Sequence, residues 1–225
     1  MADAEFGVVP IPDGWSFEEA AQLGIGPLTA LQCLYETLEL PSPLGVSIRP
    51  GDPHRAILVW GGASSVGQYA IQFAKLGGLR VLTTTSPKNV DLVRGLGADE
   101  VFDYRDEGVV EKIRAATGNA LDIAIDTISE GKTTEQVAGA IGDKGGKVAI
   151  ILPYESPRSD VKAVFSYVPD FLKRVRFVPS FPFVCCSLAT SSFPFLGIKW
   201  QVVRRPTQKD LRYGKDQAQP SSFTA

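Results

Sequence analysis

Apolar residues recur along this chain in two alternating rhythms. From Ala56 to Pro153, short apolar runs take turns with longer stretches in which apolar residues return every three or four positions. The runs are "AILVW" (56–60), "LRVLTTT" (79–85), "DEVFDY" (99–104), "LDIAIDTI" (121–128) and "GKVAIILP" (146–153). Near-continuous apolar runs of this length predict strands buried on both faces. Between them, 66–76 turns Ile71, Phe73, Ala74 and Leu76 toward a sheet, and 87–97 reads as a helix ended by Gly97. Residues 108–117 form a further predicted helix with Gly118 just beyond it, and 133–145 a helix and turn. Strand and helix in regular alternation predict an α/β fold. The expected form is a Rossmann-like doubly wound parallel sheet with its ligand at the carboxyl ends of the strands.

The flanks follow other patterns. Toward the amino end, Ser16 with Glu19 three residues later has the capping-box spacing of a helix start. Pro27 opens a second predicted helix with Leu28, Leu31, Leu34, Tyr35 and Leu38 on one face. The stretch 41–55 is rich in turn residues, and after Pro153 the rhythm fails. Residues 177–198 carry no charge, but three prolines and scattered Ser and Thr argue against a lipid-facing helix, so no membrane association is expected. The polar end of the chain has the composition of a disordered tail. The expected organisation is a loop segment over 1–19, a Rossmann-type domain over 20–175 and an irregular tail over 176–225.

The candidate chemistry lies in "LVWGGASSVGQYAIQFAKLGG", 58–78, an apolar run, a Gly/Ser turn and an amphipathic stretch. A dinucleotide loop asks for a glycine at the tight turn, a second where backbone nears the pyrophosphate, and a third where helix packs on strand. Gly62 and Gly67 fit the first and third places, and Ser64 stands at the second. The Ser64 hydroxyl offers a donor to a phosphate oxygen. With Ser65 and Val66 opening the helix, backbone N–H groups and the helix dipole favour an anion. A glycine turn without a ligand is the plainer alternative. An NAD site places an acid at the end of the second strand to accept from the ribose 2′-OH. Here "VLTTTSPKNV" has no acid between Val81 and Val90. Thr85, Ser86 and Lys88 stand there instead, and hydroxyls with a cation suit a 2′-phosphate, so NADPH is favoured over NADH. Lys88 taken alone reads equally well as a solvated cation at a helix start.

Composition narrows the function classes. The 225 residues are 44% hydrophobic and 21% charged, the balance of a globular domain, and the net charge of −2 argues against a nucleic-acid partner. Cys33, Cys185 and Cys186 have neither a disulfide framework nor metal-ligand spacing, and the single histidine, His54, sits in the turn sequence "RPGDPHR". No zinc cluster and no Ser-His-Asp or Cys-His arrangement is therefore expected. The start "MADAEFGVVPIPDGW" lacks a basic region and an apolar core, so no signal peptide is read and a cytoplasmic, reducing location is expected.

Three stretches, "IPDGWSFEEAAQLGIGPLTALQCL", "VWGGASSVGQYAIQFAKLGGLRVLTTTSPKN" and "LVRGLGADEVFDYRD", together resemble the medium-chain dehydrogenase/reductases. Within that superfamily the chain is similar to the zinc-free quinone oxidoreductases and the fungal trans-acting enoyl reductases that serve polyketide synthases. The resemblance covers about residues 7 to 165. It implies NADPH-dependent reduction of a carbon–carbon double bond conjugated to a carbonyl, on a small-molecule or acyl-thioester substrate. It further implies a 2′-phosphate held by Ser86, Lys88 and Tyr104. Tyr104 has the alternative of a partly buried aromatic at a strand end. The family's members begin with a barrel-like catalytic domain that this sequence does not contain, and their returning final segment is not recognisable after about residue 175. The expectation is a truncated or misread gene product with no assignable catalytic residue. Its function is either an incomplete oxidoreductase or a non-catalytic nucleotide-binding module. Asp126, at a predicted strand end, is expected to be a turn-forming group.

Overall fold

The computed structural model describes residue 11 and residues 14–41 and 55–168. His54, Cys185, Cys186, the uncharged stretch 177–198 and the tail expected over 176–225 lie outside the described residues.

Six strands form one sheet: β1 (Ala56–Trp60), β2 (Arg80–Thr85), β3 (Glu100–Asp103), β4 (Ile123–Asp126), β5 (Gly146–Ile150) and β6 (Val161–Phe165). Their order is β3-β2-β1-β4-β5-β6 and every pairing is parallel. That is the doubly wound order, with the chain reversing direction across the sheet between β1 and β4. The expected fold class is the observed one.

Side chains along a strand alternate between faces, and β1 shows how the two halves of the core are divided. Ile57 and Val59 face a cluster with Ile71, Phe73 and Ala74 of α3 (Ser65–Leu76) and Val93 of α4 (Val90–Gly95). Leu58 and Trp60 face the opposite cluster with Val109 and Ile113 of α5 (Val109–Ala116) and Val137 and Ala138 of α6 (Thr133–Ala140). A one-residue slip would exchange the two faces, so the register is held by both cores at once.

The amino-terminal segment packs on the α3 side. A short helix α1 (Phe17–Ala20) starts directly after Ser16, and α2 (Ile25–Leu31) continues into a π-helical turn over Gln32–Thr37. Of the predicted face, Leu31, Leu34 and Leu38 are buried, and Leu28 and Tyr35 are partly buried. Thr29, Ala30, Gln32, Cys33 and Thr37 are buried too. The segment is enclosed rather than one-sided, because α2 lies against α3 while the π-turn reaches β5.

Two further differences from the sequence reading have simple causes. The stretch 87–97 opens as a 3₁₀ turn (Pro87–Asn89) before α4 begins, because the Asn89 and Val90 N–H groups bond three residues back, to the Ser86 and Pro87 carbonyls. The sixth strand escaped the pattern because no helix precedes it. Residues 151–160 return to the amino end of the sheet without one, and β6 lies at the edge with only Val161 buried.

Candidate functional site

The loop between β1 and α3 sits at the carboxyl edge, beside the point where the strand order reverses. Its first residue makes the turn: Gly61 has φ +79, and a Cβ there would lie 2.7 Å from Cγ1 of Ile128 and 2.8 Å from Oγ1 of Thr127. This corrects the assignment of the tight turn to Gly62. Gly62 is needed for a different reason, because its Cβ would fall 2.1 Å from Oγ1 of Thr83 on β2. Gly67 allows α3 to approach the loop, since a Cβ would meet the Gly61 carbonyl oxygen at 2.4 Å and Cα of Gly62 at 2.8 Å.

Thr84 of β2 holds this loop. The Gly61 N–H donates to Thr84 Oγ1 (3.0 Å) and the Gly62 N–H to the Thr84 carbonyl (2.9 Å). Ser64 is the N-cap of α3: its Oγ accepts the Gly67 N–H at 2.9 Å and lies 2.8 Å from Thr127 Oγ1. The expected donation from Ser64 to a phosphate therefore competes with an existing contact. Ser65 and Val66 follow as the first two residues of α3, whose N–H groups have no intrahelical acceptor. No acidic residue stands in that first turn to oppose an anion.

One strand further out, the register pairs Thr85 with Asp103, which sets Ser86 and Tyr104 next to one another at the ends of β2 and β3. Ser86 is buried and bonded locally, its Oγ accepting from Asn89 Nδ2 (3.3 Å) and its carbonyl from the Asn89 N–H (2.9 Å). Lys88 is exposed. Tyr104 is 43% exposed, and the Arg105 guanidinium lies 5.3 Å above its ring centroid. Arg105 Nε also donates to the Tyr104 hydroxyl at 3.4 Å, and that contact is the main cause holding the Arg105 pKa above its ordinary value. The sequence reading missed Arg105. The one available signal was its place directly after Tyr104 in "FDYRD".

Asp126, at the end of β4, is fully buried and acts as a knot. Its Oδ1 accepts the N–H groups of Ile128 and Ser129, and its Oδ2 accepts the Thr133 and Thr134 hydroxyls at 2.8 and 2.7 Å. With both oxygens occupied it forms the turn into α6, as its strand-end position implied. Burial pushes the Cys33 thiol up to about 11, so it is protonated and inert at neutral pH.

Family comparison fits this architecture. A model described as zinc-binding dehydrogenase matches residues 65–181, just over half of the chain. The chain belongs to this family. Its sheet is the nucleotide-binding domain of a medium-chain dehydrogenase/reductase. The family's name implies zinc, but among the described residues no group of three or more His, Cys, Asp or Glu could hold a metal ion. A trans-enoyl reductase of Alternaria alternata is 47% identical over 153 residues, which are 68% of this chain and 43% of that protein. Among solved structures, the CurK enoyl reductase shares the fold with a TM-score of 0.63 at 24% identity, over 83% of this chain and 54% of that one. The quinone oxidoreductase of Thermus thermophilus, solved also in complex with NADPH, matches with a TM-score of 0.59 at 26% identity, over 84% of this chain and 56% of that one. The chain spans less than half the length of the trans-enoyl reductases it matches. Among the described residues, no helix is long and apolar enough to cross a membrane.

Proposed function

We propose that this chain is the cofactor-binding part of an NADPH-dependent oxidoreductase. Its substrate class is a carbonyl compound with a conjugated carbon–carbon double bond, an acyl thioester delivered by a polyketide synthase. The observation that carries the cofactor choice is the corner at the ends of β2 and β3. It offers Lys88, Arg105 and the Tyr104 hydroxyl, and the residues from Val81 to Val90 include no carboxylate. A 2′-phosphate meets complementary charge there, and β2 ends without the acid that would accept from a 2′-OH, while Asp103 at the end of β3 accepts the Arg105 N–H at 3.0 Å.

The cofactor, when bound, supplies the hydride. The chain's own residues bind and orient it. The N–H groups of Ser65 and Val66 face the pyrophosphate at the positive end of α3. Ser86, Lys88, Tyr104 and Arg105 take the adenosine end. Ile128 and the exposed Leu152, at the ends of β4 and β5, line the nicotinamide end and exclude water there. Asp126 stays out of the chemistry because its oxygens are committed to the turn. The names of the relatives, trans-enoyl reductases above all, support the reaction class.

Calorimetric titration of the 225-residue chain with NADPH and NADH tests this reading. NADPH should bind at least about tenfold more tightly, the equivalent of one charge-assisted contact. Lys88→Ala should remove most of that preference while leaving NADH affinity unchanged. Equal affinities for the two cofactors in the parent would defeat the assignment. Turnover of an α,β-unsaturated thioester with NADPH separates a reductase from a nucleotide-binding module that performs no chemistry.

A further inference from the structure

We infer that Thr127, at the exit of β4, is a positioning residue of the nucleotide loop: it takes the Ser64 proton and so leaves the phosphate to the backbone. The inference rests on the cofactor reading above.

Thr127 is 3% exposed and its Oγ1 has one hydrogen to give. Two carbonyl oxygens take up that hydrogen, Trp60 at 2.7 Å and Gly61 at 3.1 Å, and neither can donate in return. The 2.8 Å contact between Ser64 Oγ and Thr127 Oγ1 must then be donated by Ser64. Ser64 in turn accepts the Gly67 N–H at 2.9 Å. A directed chain results, from the Gly67 N–H through Ser64 and Thr127 to the Trp60 carbonyl. Each link polarises the next.

Two consequences follow for the loop. Ser64 has no proton left for a phosphate oxygen, and its remaining lone pair would repel one. The anion is therefore left to the N–H groups of Ser65 and Val66, which have no intrahelical acceptor. Those groups are aimed by the N-cap, and the N-cap rotamer is set by Thr127, 63 residues away in sequence. Thr127 also fills the space against Gly61, where a Cβ would lie 2.8 Å from its Oγ1. A valine at 127 would preserve the shape and remove the relay. A serine would preserve the relay.

The test uses the 225-residue chain with Thr127→Val, Thr127→Ser and Ser64→Ala, singly and with T127V and S64A combined. Amide hydrogen exchange in the cofactor-free protein reads the relay, and NADPH titration reads its effect on binding. T127V should speed exchange at Gly67 by about tenfold and weaken NADPH by about tenfold, while exchange at Val148 and Ala149 in β5 stays at the parent rate. T127S should restore both, and the double variant should be no weaker than the worse single one. NADPH affinity in T127V equal to or above that of the parent would overturn the proposal, because Ser64 would then be free to serve the phosphate itself. Exchange that quickens in β5 as much as at Gly67 would make Thr127 a general stabiliser and overturn it as well. A parent chain that binds no NADPH defeats the cofactor reading, and exchange at Gly67 then decides on its own whether the relay exists.

Discussion

Replacing Gly67 by alanine puts one methyl group where the loop and α3 meet. The new Cβ would sit 2.4 Å from the Gly61 carbonyl oxygen and 2.8 Å from Cα of Gly62, both backbone atoms with no rotamer to escape into. Ordinary non-bonded contacts lie near ~3.5 Å, so the loop must retreat by about 1 Å. That movement strains two hydrogen bonds of the loop, Ser64 N–H to Gly61 O and Gly67 N–H to Ser64 Oγ, each 2.9 Å long. Overpacking destabilises by ~1–3 kcal/mol and each lost hydrogen bond by ~1 kcal/mol. Alanine's better helix propensity returns at most ~1 kcal/mol, leaving a net loss of about 2–4 kcal/mol. Domains of this size are stable by only ~5–15 kcal/mol, so the change is large. Urea unfolding at 25 °C, followed by far-UV circular dichroism, measures it. Gly95→Ala is the control, because a Cβ there meets nothing within 4 Å and α4 should keep or gain stability. A Gly67→Ala chain that unfolds within about 0.5 kcal/mol of the parent would show that the loop and helix are not in the close contact described.

Asp126→Asn should destabilise by about 1.5–3 kcal/mol, since an amide places a donor where two threonine hydroxyls now donate; a urea midpoint unchanged at constant slope would contradict the knot at the end of β4. The carboxyls of Asp106, Asp143 and Asp160 are held below their usual range, chiefly by hydrogen bonds from Lys112, Arg114 and Arg158. A folded-state pKa below the unfolded one contributes stability that is present above the unfolded value and disappears as pH falls through the folded one. The melting temperature should therefore be level between about pH 5 and 7 and fall below about pH 4. A variant with all three changed to asparagine should show a shallower acid slope, and an identical slope would remove these groups from the account.

Contiguous sequence carried the α/β rhythm because strand and helix periodicity belong to neighbouring residues. Five strands, the α3 and α5 helices and the parallel class were all legible in that way. So was the candidate loop, whose glycines and serines are adjacent, and so was the lack of an acid from Val81 to Val90. The tertiary structure decided what depends on distant partners. β6 exists because β5 offers a parallel edge, although residues 151–160 contribute no helix to announce it. Gly61, not Gly62, makes the tight turn, since Thr127 and Ile128 crowd the space where its side chain would be. Arg105 became part of the β2–β3 corner only once its stacking on Tyr104 was visible. The Ser64 hydroxyl, free to serve a phosphate when read along the chain, is engaged by Thr127 because β1 and β4 pair Trp60 with Asp126. A side chain's type is fixed by its own codon, but the partner that claims its proton is chosen by the sheet.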